Sequence, residues 1–137
     1  MSIEKLANLV SAAPHVFIIG NGGSYANAQH IANDLLSCGV RAFTFDAATY
    51  TAFANDFGFE SAYARWISVV GDKADCLIAL SGSGRSPNIL AAIREAERIG
   101  MTVYRIFGAE LGQDMQTAEN HQLVVGHELM RRLRDSS

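Results

Sequence analysis

Short apolar runs alternate with longer amphipathic stretches along this chain, and most of the runs end in a polar or glycine-rich turn. Residues 15–19 (HVFII), 41–46 (RAFTFD), 75–80 (DCLIAL), 102–107 (TVYRIF) and 121–125 (HQLVV) have the length and side-chain types of strands. Residues 3–12, 25–37, 48–54, 59–70, 87–99, 110–118 and 127–134 read as helices. The clearest is 87–99, with Pro87 suited to the first helical position and Gly100 to the stop. HVFII and DCLIAL are apolar almost throughout, which marks strands covered on both faces. Strands alternating with helices build βαβ units around a parallel sheet. The pattern therefore predicts a three-layer α/β/α sandwich with a five-stranded parallel sheet. No repeat, linker or low-complexity segment interrupts it, so a single domain over residues 1–137 is expected.

Composition narrows the function classes. The chain has 137 residues, 49% hydrophobic and 18% charged, which suits one buried core and excludes a disordered, collagenous or disulfide-stapled protein. The net charge is −3, from 11 Lys and Arg against 14 Asp and Glu. No basic stripe exists to meet a phosphate backbone, so no direct nucleic-acid partner is expected. Arg131, Arg132 and Arg134 cluster where cations suit the last turn of a helix. Cys38 and Cys76 make no framework, and Cys76 reads as a buried thiol. The opening MSIEKLANLVSAAP lacks the pattern of a signal peptide, and no run reaches the roughly 18 apolar residues of a membrane span. A soluble, cytoplasmic protein without a membrane partner is the expectation.

Two loops carry the candidate chemistry. Gly20-Asn21-Gly22-Gly23-Ser24 follows the first strand and opens a helix. Glycines there let backbone N–H groups approach an anion. Gly20 and Gly22 fit a dinucleotide fingerprint, with Asp46 as a ribose-binding acid, but Tyr25 stands where that fingerprint needs a small residue. No Lys follows the glycines, which excludes a P-loop. Ser81-Gly82-Ser83-Gly84-Arg85-Ser86-Pro87 joins the third strand to its helix. Its hydroxyls, backbone donors and helix N-terminus make a neutral phosphate cradle. Two such loops on one sheet edge point to a phosphorylated small molecule.

The segments GNGGSYANAQH and LIALSGSGRSPNILAAIREAERIGM resemble the SIS (sugar isomerase) domain, a phosphosugar-binding family with a flavodoxin- or Rossmann-like sheet. Within it they are most similar to the sedoheptulose-7-phosphate (phosphoheptose) isomerases, from about residue 15 to 126, with Asn55 to Phe59 and Arg65 also matching. The resemblance implies that Ser81, Ser83 and Ser86 hold the phosphate. It implies that Asn21, Gly22, Gly23 and Ser24 lie against the sugar, with Asp56 orienting hydroxyls. It also implies a homo-oligomer, a dimer or tetramer, with sites at subunit interfaces.

Aldose–ketose isomerisation needs a base that moves a proton between C1 and C2 and a group that stabilises the enediolate. His30 and Asp34 stand four apart, on one helix face. The family places a His and a catalytic Glu at these positions, so Asp34 is one methylene short, about 1.5 Å, a displacement that can cost orders of magnitude in rate. No cofactor is required, although the pair could be half of a zinc site. The family also has a second catalytic His on a long final helix, with a Gln two turns earlier. One alignment sets His127 on that His and Glu119 on the Gln. The other makes TAENHQLVVG the fifth strand and its approach, and leaves the second His absent. The second alignment is the expectation here, with both ends of the chain shorter than in the family. An isomerase is then the first reading. A non-catalytic phosphosugar sensor or protein-binding regulatory module is the alternative.

Overall fold

The computed structural model describes residues 1–108 and 114–135. Ten elements follow in order: α1 (Ile3–Ala12), β1 (Val16–Ile19), α2 (Gly23–Ser37), β2 (Ala42–Thr44), α3 (Ala47–Phe57), α4 (Phe59–Val70), β3 (Cys76–Ser81), α5 (Pro87–Ile99), β4 (Thr102–Phe107) and α6 (Met115–Asp135). The strands form one parallel sheet in the order β2-β1-β3-β4.

Side chains alternate across the sheet and so create the layers. Val16, Ile18, Cys76, Ile78 and Leu80 face one side, where they pack against Leu6 and Val10 of α1, Ile31 and Leu35 of α2, and Leu129 and Leu133 of α6. Phe17, Ile19, Leu77 and Ala79 face the other, against Tyr63 and Ile67 of α4 and Ile89, Ala92 and Ile93 of α5. Burial on both faces explains why β1 and β3 are apolar throughout. Burial also pushes the Cys76 thiol up to about 12, so it stays protonated as a core residue.

Among the described residues the sheet has four strands, not five. Residues 121–125 belong to α6, a single helix over Met115–Asp135 that also absorbs the terminal helix expected at 127–134. The buried positions of α6 are Ala118, Gln122, Gly126, Leu129 and Leu133, a helical spacing. Two of the five are not hydrophobic, so the period does not show in a hydropathy pattern. Gly126, which resembles the end of a strand, is where α6 crosses α2 closely: a Cβ there would lie 2.6 Å from Ile31 Cγ1. The short helix expected at 110–118 falls partly on residues outside those described.

The chain leaves β1 towards β2 on one side and β3 on the other. Loops after β1 and β3 therefore flank the point where strand order reverses, the place where open α/β sheets bind ligands.

Candidate active site

The loop after β1 turns through Gly22, whose φ of +56° favours glycine. Gly23 then opens α2 directly beneath the Glu119 carboxylate; a Cβ at Gly23 would fall 1.5 Å from Oε2. Ser24 is buried, and its Oγ accepts a hydrogen bond from Gln122 Nε2 at 3.0 Å. Asn27 Nδ2 donates to Gln122 Oε1 and to the Glu119 carbonyl, at 2.8 and 2.9 Å. These bonds pin the start of α6 to the start of α2. Tyr63 holds the floor of the loop by donating to the Gly20 carbonyl, and burial keeps its hydroxyl protonated well above the usual range. The side chain of Asn21 is engaged by Asn88 and Tyr50. Among the loop's own groups, the main chain at Gly22 and Gly23 thus remains the part that a sugar can meet. Asp46 is spent on capping α3: its Oδ1 accepts from Thr49 N at 3.1 Å, and its Oδ2 from Thr49 Oγ1 at 2.7 Å. Those bonds hold its carboxyl below the ordinary range.

The loop after β3 brings its hydroxyls together. Ser81 Oγ and Ser86 Oγ lie 3.2 Å apart. Gly84 N donates to Ser81 Oγ at 2.9 Å, and Arg85 N to Ser83 Oγ at 3.1 Å. Ser86 occupies the N-cap position of α5, with Pro87 behind it, yet its hydroxyl makes no capping bond. It turns into the loop instead, leaving the first N–H groups of α5 without that partner. Three hydroxyls and a helix N-terminus suit a phosphate monoester that brings its own charge.

His30 and Asp34 sit on one face of α2, with Nε2 3.3 Å from Oδ2. Opposite them, from α6, stands His127. Its Nε2 is 3.1 Å from His30 Nε2 and 3.8 Å from Asp34 Oδ2. The expectation that a second histidine is absent is thereby corrected: the continuous helix α6 carries His127 to the cluster, with Glu119 two turns earlier over Gly23. Asp34 Oδ2 is buried without a hydrogen bond. The three donor atoms all lie within 4.8 Å of one another. The side chains of His30, Asp34 and His127 are 51%, 16% and 38% exposed, so the cluster opens to solvent in the isolated chain.

Asp56 stands apart, exposed near the end of α3, where its Oδ1 accepts from Asn55 Nδ2 at 3.2 Å. Arg65 lies over the Phe57 ring, 4.0 Å from its centroid. His121 lies on α6 outside the cluster. His15 bonds to the buried Asp75 at the opposite edge of the sheet. Four residues of the site carry no signal in the hydrophobic pattern: Tyr50, Tyr63, Asn88 and Gln122. Asn88 and Gln122 are fully buried amides, and their polarity hides the core-facing positions that they occupy.

A parallel sheet with two glycine- and serine-rich loops at its switch point, and a carboxylate–imidazole cluster between α2 and α6, defines an open α/β domain of the kind that takes a ligand beyond the carboxyl ends of its strands. The SIS domain profile matches residues 1–108, and the chain belongs to the SIS domain family. It is 39% identical over 124 residues to the phosphoheptose isomerase of Burkholderia pseudomallei (strain 1710b), covering 82% of this chain and 63% of that protein. It is 35% identical over 131 residues to phosphoheptose isomerase 1 of Campylobacter jejuni, covering 89% of this chain and 69% of that one. The solved phosphoheptose isomerase of Francisella tularensis superposes with a TM-score of 0.86 at 27% identity, over 97% of this chain and 84% of that chain.

Proposed function

We propose that this chain interconverts the aldose and ketose forms of a long-chain sugar phosphate such as sedoheptulose 7-phosphate. The observation that carries the reading is the convergence of Asp34, His30 and His127 between α2 and α6, two turns along α6 from the Glu119 carboxylate that covers Gly23. Ser81, Ser83 and Ser86 would hold the phosphate, and the Gly22–Gly23 main chain would lie against the sugar. From Ser24 to His30 the axis of α2 rises about 9 Å. The cluster therefore stands well along α2 from the loop after β1, which suits a substrate longer than a triose phosphate and agrees with the phosphoheptose isomerases among the relatives.

Asp34 is suited to take the proton from C1 of the ketose and return it to C2, giving the aldose, or to take it from C2 of the aldose and return it to C1. Facing imidazole nitrogens 3.1 Å apart cannot both carry a proton on the shared line, so one donates and the other accepts. Such a pair can pass a proton between the substrate's O1 and O2 while the enediolate exists. The reaction then closes with no net proton gained or lost.

No cofactor is needed for that route, yet the donor set fits zinc: two imidazoles and a buried carboxylate oxygen with no hydrogen bond converge on one point. Bound there, the ion would polarise the carbonyl and the enediolate oxygens. Zinc added to metal-free protein is expected to raise Tm, and His127→Ala to abolish that rise, as read by differential scanning calorimetry.

An open cluster is a poor place for proton transfer, because water competes. None of the residues of α3 is buried, although the helix carries Tyr50, Phe53 and Phe57, and Phe57 and Phe59 are exposed. Both features suit a homo-oligomer, a dimer or tetramer, in which a second copy closes the site and covers α3. Light scattering on the purified chain is expected to give a mass at least twice that of the chain. Localisation in the cytoplasm fits such a substrate, and among the described residues no helix is long and apolar enough to cross a membrane. The activity is tested by incubating the protein with sedoheptulose 7-phosphate and following the aldose product by phosphorus NMR. Binding without conversion would favour the sensor reading instead.

A further inference from the structure

We infer that Asn88 is a positioning residue that locks the sugar loop to the phosphate loop, with Asn21 and Tyr50 completing a closed hydrogen-bonded ring. The inference rests on the phosphosugar reading of the site and names what holds its two halves in register. Asn21 lies in the loop after β1, Asn88 at the start of α5, and Tyr50 on α3. Asn21 Nδ2 donates to Asn88 Oδ1 at 2.9 Å, and Asn88 Nδ2 donates back to Asn21 Oδ1 at 2.8 Å. The second hydrogen of Asn88 Nδ2 goes to Tyr50 Oη at 3.0 Å, and the Tyr50 hydroxyl donates to Asn21 Oδ1 at 2.7 Å.

Every polar atom of the Asn88 side chain is used, and the residue is fully buried. Buried amides in that state cannot move without leaving unpaired donors, which makes the ring stiff. Stiffness matters here because both loops are rich in glycine and would otherwise lose much conformational entropy on meeting a ligand. A ligand that touches only the phosphate loop does not need the ring. A ligand that spans both loops does, because its gain depends on their spacing being set beforehand. Tyr50 adds a third anchor through its stacking on Phe45, with ring centroids 5.3 Å apart.

The test compares Kd for inorganic phosphate and for sedoheptulose 7-phosphate by calorimetry, in the wild-type chain and in Asn88→Ala, Tyr50→Phe and the double variant. Inorganic phosphate should bind the variants nearly as it binds the wild type. The preference for the sugar phosphate should fall roughly tenfold or more in Asn88→Ala and less in Tyr50→Phe. The double variant should lose less than the product of the two single losses, because the ring acts as one unit. Kinetic data should show the loss in KM more than in kcat. Should Asn88→Ala fail to melt cooperatively, Tyr50→Phe carries the test, since it removes one hydroxyl and keeps the stacked ring. A wild-type chain that prefers the sugar phosphate, with variants that keep the preference or lose phosphate affinity equally, overturns the positioning role. A wild-type chain that binds sedoheptulose 7-phosphate no better than inorganic phosphate overturns the substrate reading itself.

Discussion

Asp34→Asn is expected to lower turnover of the sugar phosphate by about 10²- to 10⁴-fold, the usual worth of a positioned general base. Binding of the substrate should change little, because the proposed phosphate contacts, Ser81, Ser83 and Ser86, lie on the loop after β3, away from Asp34 on α2. Asn matches the shape of Asp34 but cannot take a proton. The shorter carboxylate, one methylene less than the Glu of the resembling isomerases, is the feature that puts catalysis in question from sequence. The shorter side chain still comes close to both imidazoles, with Oδ2 3.3 Å from His30 Nε2 and 3.8 Å from His127 Nε2. Steady-state kinetics with a parallel binding titration decide the matter. Unchanged kcat would remove Asp34 from the proton path, and a matching loss of binding would make it a structural or substrate-holding group.

Gly126→Val should be among the most damaging changes outside the cluster. A Cβ at this position meets Ile31 Cγ1 at 2.6 Å and Cδ1 at 3.0 Å, and Ile31 is buried with nowhere to retreat. Overpacking of this kind costs roughly 1–3 kcal/mol. The cost should appear as a fall in Tm of several degrees, because exchanging a mid-helix glycine for valine favours the helix by only about 0.3 kcal/mol. Separation of α6 from α2 would also carry His127, the next residue, away from His30. Calorimetry and kinetics on the same sample should therefore show stability and turnover falling together. A variant with an unchanged Tm would contradict the close crossing of the two helices.

The parts of the fold that sequence makes legible are those whose chemistry is local. HVFII and DCLIAL announce central strands because both faces need carbon, and the glycines and hydroxyls after them announce loops that meet an anion. Helix α6 is harder. Its segment HQLVV mimics a half-buried strand, and its true buried face runs through Gln122 and Gly126, which no hydropathy period registers. Misplacing that one element removes His127 from the site and adds a fifth strand to the sheet, so a single error in period propagates into both fold and chemistry. Asn21 and Ser24 show a second limit. Their residue types fit sugar recognition, but only the tertiary partners Asn88, Tyr50 and Gln122 reveal that their side chains are engaged within the protein. Long-range polar bonds of this kind leave no periodic trace.

Proton transfer by the Asp34–His30–His127 cluster is tested most directly by proton NMR of sedoheptulose 7-phosphate incubated with the protein in D2O. The account predicts deuterium entering at the sugar carbon next to the carbonyl, together with aldose product, and loss of both in Asp34→Asn. Bound but unexchanged sugar phosphate in the wild-type sample would contradict it and leave a phosphosugar-binding domain without catalysis.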